Sequence, residues 1–287
     1  MTNVLAQDLP TLGPDDYDQW ESLGNGILSP SGNWLAVLIN RVSDEGELRI
    51  HRTDTDSLVV VPFATRPAFS SDGAWLAYQI GVSPEEQDAA QKADEPVHNS
   101  MGLLNLSTGD QETINHIESF SFSDDGAYLA IQRYKPEDKE SDGVDVVIRT
   151  MATSSVMSFG NVSEFGWQDE GNLLALATDA DGQVGNGISV FDPSSGQLRS
   201  LETDAATYRS LSWREESADL AVLKTFDDEE YEDTAHVALA WRDLDQDDGD
   251  SFELDPRTHN AFPNSMRMVE FRTPSWSEDG STLFVGI

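Results

Sequence analysis

Residues 121–131 read SFSDDGAYLAI, and three other stretches repeat their design: SPSGNWLAV at 29–37, SSDGAWLAY at 70–78 and SEDGSTLFV at 277–285. Each sets a small polar cluster and a glycine just ahead of a short apolar run. Ser and Asp side chains accept hydrogen bonds from backbone N–H groups a residue or two further on, which nucleates a reversal. Glycine then supplies the positive-φ position that strains any residue with a Cβ. Before each turn sits a short run ending in an aromatic or apolar residue, as at Phe69, Phe122, Trp167, Trp213 and Trp276.

With the turn glycine as the mark, the series runs Gly32, Gly73, Gly126, Gly171, then Ser217 in its place, then Gly280, at intervals of 41, 53, 45, 46 and 63 residues. A period in the forties suits β-propeller blades. Helical solenoids of that period need two amphipathic helices per unit. Here the segments after the turns are short and β-rich: WLAVLIN, WLAYQI, YLAIQRY, LLALAT and LAVLKT. The expected fold is all-β: a β-propeller of four-stranded blades, five of them plus the start of a sixth. An N-terminal lead-in occupies 1–23, with DDYDQW helical and Tyr17 and Trp20 packing on the first blade. The propeller fills 24–287, in blades of about 24–63, 64–115, 116–160, 161–203 and 204–268, with an incomplete one at 269–287.

The outer strand of the fifth blade has no clear place in the sequence. Two inserts interrupt the pattern: 81–99, polar and helix-permissive between Pro84 and Pro96, and 226–268, acidic and expected to project as solvated loops. An unfinished sheet leaves an unpaired edge, so we expect an incomplete ring and a fragment of a longer protein.

The charge balance is strongly negative, 53 acidic against 17 basic residues for a net −36, with only four lysines. Such a surface repels nucleic acid and anionic membranes. It is that of an ordinary acidic bacterial protein or, as a second reading, of one adapted to salty surroundings. No apolar run approaches the length of a membrane helix, and MTNVLAQDLP lacks the parts of an intact signal peptide. Cysteine is absent, which removes disulfides, thiolate nucleophiles and thiolate metal ligands. Compartment stays open between bacterial cytoplasm and a periplasmic or secreted location.

Signals for chemistry are weak. The G-x-S-x-G nucleophile elbow does not occur. His51, His98, His116, His236 and His259 are scattered without metal-ligand spacing and read as surface or strand histidines. Asp243, Asp245, Asp247 and Asp248 resemble the start of an EF-hand loop, but Asp248 stands where glycine is required and Leu254 where the bidentate Glu belongs. Asp179-Ala-Asp181-Gly182 reads as a hairpin turn. No catalytic, cofactor-binding or metal-ligating residue is assigned, and no cofactor is expected.

The lead-in DDYDQWESL, followed by LSPSGNWLAV, RPAFSSDGAWLAY, a charged insert and GLLNLSTGD, resembles the N-terminal propeller of bacterial prolyl oligopeptidase-type serine peptidases. The late stretch AFPNSMRMVEFRTPSWSEDGSTLFVGI is similar to the approach to a mid-propeller blade in large members of that family. The resemblance implies a non-catalytic propeller that gates short peptides into a C-terminal α/β-hydrolase domain, which would be this chain's partner together with the peptide. The family's Ser, Asp and His triad matches no position here. The competing expectation is a stand-alone Tol-type or WD40-like propeller that acts as a protein-interaction scaffold. A propeller carbohydrate enzyme is a third reading, which would need carboxylates at the inner-strand ends.

Overall fold

The computed structural model describes residues 13, 20–226, 234–246, 249–263 and 266–287. The lead-in expected to be helical (apart from Trp20), Tyr17, the acidic residues 227–233 and Asp247 and Asp248 lie outside the described residues. The described residues are all-β, 50% in strands and 5% in helix. It divides into two compact units, one of residues 1–69 and 75–115, the other of 70–74 and 116–287.

The first unit holds two four-stranded antiparallel sheets. One is β1 (Glu21–Leu28), β2 (Trp34–Arg41), β3 (Glu47–Arg52) and β4 (Leu58–Pro62); the other is β5 (Ala64–Phe69), β6 (Trp75–Ile80), β7 (Ser100–Asn105) and β8 (Gln111–Asn115). Ala36, Leu48 and Ile50 of the first sheet pack with Leu76, Tyr78 and Leu104 of the second, all nearly inaccessible. Burying one such aliphatic side chain is worth roughly 1.5–3 kcal/mol, and the alternation of β3, with Leu48 and Ile50 inward, directs that burial to one face. Gly102 lies opposite Tyr78, where a Cβ would fall 2.1 Å from the phenol ring. The 81–99 insert forms α1 (Pro84–Ala93), opened by a capping box between Ser83 and Glu86 and closed at Asp94 in the left-handed region.

In the second unit, β9 (Ile117–Phe122), β10 (Tyr128–Arg133), β11 (Val144–Thr150), β12 (Val156–Trp167), β13 (Leu174–Thr178), β14 (Gly187–Asp192) and β15 (Gln197–Thr203) form one seven-stranded sheet. The boundary expected at 160/161 lies inside β12. That strand pairs with β11 through Val156–Val162 and with β13 through Val162–Trp167. Asn161, at φ 58°, turns the strand between its two partners. A four-stranded sheet of β16 (Thr207–Trp213), β17 (Leu220–Phe226), β18 (Ala235–Trp241) and β19 (Ser251–Leu254) follows, then the pair β20 (Ser275–Trp276) and β21 (Leu283–Phe284). The outer strand that the sequence leaves unplaced is β19.

β17 is buried on both faces. Leu220 and Val222 join Ala175, Ile188 and Val190 in one cluster, while Leu223 joins Ala238 and Met268 in another. A strand packed on both faces reads as a continuous apolar run rather than an alternating one, which is how LAVL is written. Met268, in the insert expected to project as loops, is fully inaccessible. Among the described residues no helix is long and apolar enough to cross a membrane.

The repeated turn has one hydrogen-bond plan. In the turns starting at Ser29, Ser70, Ser123 and Ser277, the glycine N–H donates to the serine carbonyl at 2.8–2.9 Å. The serine hydroxyl donates to the aspartate two residues on in three of them, at 2.6–2.8 Å. That aspartate also accepts the N–H two residues further along, at 2.8–3.0 Å. Gly32, Gly73, Gly126 and Gly280 all have φ between 64° and 72°. The other two turns depart from the expectation. There the left-handed residue is Glu170 (φ 51°) or Glu216 (φ 52°), one position before Gly171 and Ser217. Gln168 stands in place of the serine in the first of them, and a Cβ on Gly171 would meet its side chain at 2.3 Å.

Candidate functional site

Four places in the second unit, and one in the first, gather polar side chains around defined geometry.

The inner strands of the second unit are tied in series by indoles. Trp167 Nε1–H donates to the Ser121 carbonyl (3.1 Å), Trp213 Nε1–H to Gly166 (2.9 Å) and Trp276 Nε1–H to Ser212 (3.4 Å). Each acceptor immediately precedes the aromatic residue that ends the previous inner strand. Beside this ladder Glu164 reaches from β12 to β16, where its carboxylate accepts the backbone N–H groups of Ser210 (2.7 Å) and Leu211 (2.8 Å). These N–H groups are free of the ladder because the β16–β17 register shifts between Arg209 and Ser212, with Ser210 at φ 63°. Burial raises the Glu164 pKa above the ordinary carboxylate value, against the opposing pull of the two N–H donors and Arg209.

A groove of about 560 Å³ lies between the ends of β16 and β20. Trp213 and Trp276 line it together with Arg214, Glu215, Glu216 and Glu278. Arg214 is occupied: its Nε donates to Asp219 (2.8 Å), and Nη1 donates to the Glu278 carbonyl (3.1 Å). Ser277 donates to Asp279 and accepts the Thr282 N–H, so it is a turn residue and not a nucleophile. Among the described residues no histidine lines the groove, which can hold a ligand through aromatic faces and carboxylates.

His236 sits within a side-chain network. Its Nδ1 lies 2.9 Å from Thr225 Oγ1 and its Nε2 lies 2.6 Å from Glu270 Oε2. Hydroxyl, imidazole and carboxylate follow the order of a hydrolase triad, yet Thr225 is buried and the His236 side chain is wholly inaccessible. No substrate reaches that hydroxyl. Sequence reading takes His236 as a surface or strand histidine; it lies in β18 and is buried. Nothing in its neighbourhood announces Glu270, 34 residues away.

The Asp179 and Asp181 carboxylates bond to the chain itself. Asp179 accepts the Asp142 N–H and the Asn186 side chain, and Asp181 accepts the Ser141 N–H. Asn186 is fully buried and also donates to the Ala206 carbonyl. Among the described residues no group of three His, Asp or Glu side chains could hold a metal ion. In the first unit, Glu21, Arg41, Glu47 and Arg49 close a ring of ion pairs at 2.7–3.0 Å beside a depression of about 260 Å³. Arg49 and then Arg41 hold Glu21 below the ordinary carboxylate value. Burial works to raise Glu47, but the same arginines together lower it.

No protein-family model and no curated protein sequence matches the chain. Solved structures do. Dipeptidyl peptidase 4 from Porphyromonas gingivalis matches over 80% of this chain and 38% of its own, at 12% identity and a TM-score of 0.50. The β-propeller domain of the trilobed protease from Pyrococcus furiosus matches over 82% and 72%, at 12% identity and a TM-score of 0.47. TolB from Acinetobacter baumannii matches over 77% and 52%, at 11% and 0.36. The chain thus spans well under half the length of the dipeptidyl peptidase. It is similar in structure to the propeller domains of prolyl oligopeptidase-family peptidases; at such low identity that likeness speaks to fold.

Proposed function

We propose that this chain is the propeller portion of a prolyl oligopeptidase-like serine peptidase and gates short peptides toward a separate α/β-hydrolase domain. Each four-stranded sheet is then one blade, with β12 serving two, and β20–β21 begins a sixth. The observation that carries the reading is the repeated antiparallel sheet with its Ser-x-Asp-Gly turn, together with the structural likeness to a dipeptidyl peptidase over 80% of the chain. The chemistry of the groove agrees with it, since aromatic and carboxylate walls suit a surface that orients peptides and leaves cleavage elsewhere.

The test uses an antibody against this chain to recover the native polypeptide from its source cells, followed by labelling with a fluorophosphonate probe. The expected result is a polypeptide larger than 31.5 kDa that takes up the serine-directed label. A polypeptide that takes up none would overturn the proposal and favour the Tol-type scaffold.

A further inference from the structure

Residues 266–270 form a strap across the strands of the second unit, and four contacts hold it. Arg267 Nη1 donates to the Thr234 carbonyl (3.0 Å). Met268 fills the cluster with Leu223 and Ala238. The Val269 N–H donates to the Gly286 carbonyl (3.0 Å). Glu270 Oε2 meets His236 Nε2 at 2.6 Å. Of these contacts only the last joins two groups that titrate between mild acid and neutral pH.

We propose that the His236–Glu270 pair is an acid-released latch that holds this strap down on β17 and β18. With the imidazole neutral, Nε2–H donates to the Glu270 carboxylate and Nδ1 accepts the Thr225 hydroxyl, so both ring nitrogens are satisfied. Protonation makes Nδ1 a donor and forces the Thr225 hydroxyl to reverse. It also places a cation on a side chain with no exposure, where Arg209 on β16 and Arg267 on the strap already repel one. Burial is the foremost influence on the ring and lowers its pKa, outweighing the attraction of Glu270. The groups that act on the ring are thus Thr225 from β17, Arg209 from β16, and Arg267 and Glu270 from the strap.

The sign follows from linkage. A base whose folded pKa lies below its unfolded value of 6.5 binds fewer protons when folded, so closure weakens as pH falls below 6.5. Glu270 is also lowered: burial would raise it, but backbone and His236 hydrogen bonds prevail. Its contribution is lost at more acid pH, in the same direction. Uptake of one proton changes the opening equilibrium by up to about tenfold per pH unit.

Amide hydrogen exchange on the full chain tests the latch, with rates corrected for intrinsic chemistry. Opening at Met268–Glu270 should rise by up to about fivefold between pH 6.5 and 5.5, while β11 stays protected. His236→Gln keeps a donor for Glu270 and an acceptor for Thr225 but cannot titrate, so it should flatten that profile. A flat profile in the parent chain, or an unchanged slope in His236→Gln, overturns the proposal. Should His236→Gln fail to fold, Glu270→Gln decides, because the glutamate is partly exposed. Strap exchange at pH 7.5 should then exceed that of the parent chain, and equal exchange overturns the latch.

Discussion

Replacing Glu164 by alanine tests how the inner strands of the second unit are joined. The carboxylate accepts two backbone N–H groups, from Ser210 and Leu211, at 2.7 and 2.8 Å. Hydrogen bonds to a charged group contribute about 1.5–3 kcal/mol each, and a buried donor left without an acceptor costs about 1–3 kcal/mol. Against this stands the cost of holding a half-buried carboxylate, the same burial that raises its pKa. The balance for Glu164→Ala is a loss of about 3 kcal/mol, or about 6–12 °C in Tm for a unit of this size. Glu164→Gln keeps one acceptor oxygen and should lose about 1 kcal/mol.

The pH dependence separates the two roles. A carboxyl raised above its unfolded value of 4.5 adds stability that is complete below that value and is lost as pH rises through the folded one. Glu164→Gln should therefore remove a decline in stability on the alkaline side of pH 4.5. Urea unfolding of both variants followed by circular dichroism gives the comparison. If Glu164→Ala unfolds within about 0.5 kcal/mol of the parent chain, the range of an ordinary surface change, the bridge carries no weight and the reasoning is wrong.

Trp213→Phe keeps an aromatic ring but deletes the donor to the Gly166 carbonyl, and should cost about 1 kcal/mol, read as a lower urea midpoint at unchanged slope. Asn186→Ala empties a fully buried position that donates to Asp179 and Ala206 and accepts the Ala180 N–H; a loss of about 3 kcal/mol or more is expected, and a change below about 1 kcal/mol would show that water replaces it. With a net charge of −36, the chain should melt at higher temperature as NaCl rises from about 0.05 to 1 M, where the Debye length shrinks to about 3 Å; a flat or falling Tm contradicts self-repulsion.

The local part of the architecture was legible because its physics is local. In the turn at Ser123, every bond that makes the reversal spans two to five residues, so Ser123, Asp125 and Gly126 announce it by themselves. Asp124, the other acidic residue of that turn, leaves the side-chain bonding to Asp125. The same logic misplaces the two variant turns. A glutamate in the left-handed region is allowed but disfavoured, and only the hydrogen bonds of the folded turns place it at 170 and 216.

The sequence alone determined the strands around the four serine-led turns and the chemistry of those turns, since alternation and Asx bonding are properties of short stretches. Tertiary structure decided what lies 34–64 residues apart: the indole ladder, the Glu164 bridge to a shifted β16, and the burial of His236 against Glu270. Those contacts depend on strand register and on which faces come together. Neither quantity is written within reach of one residue's neighbours.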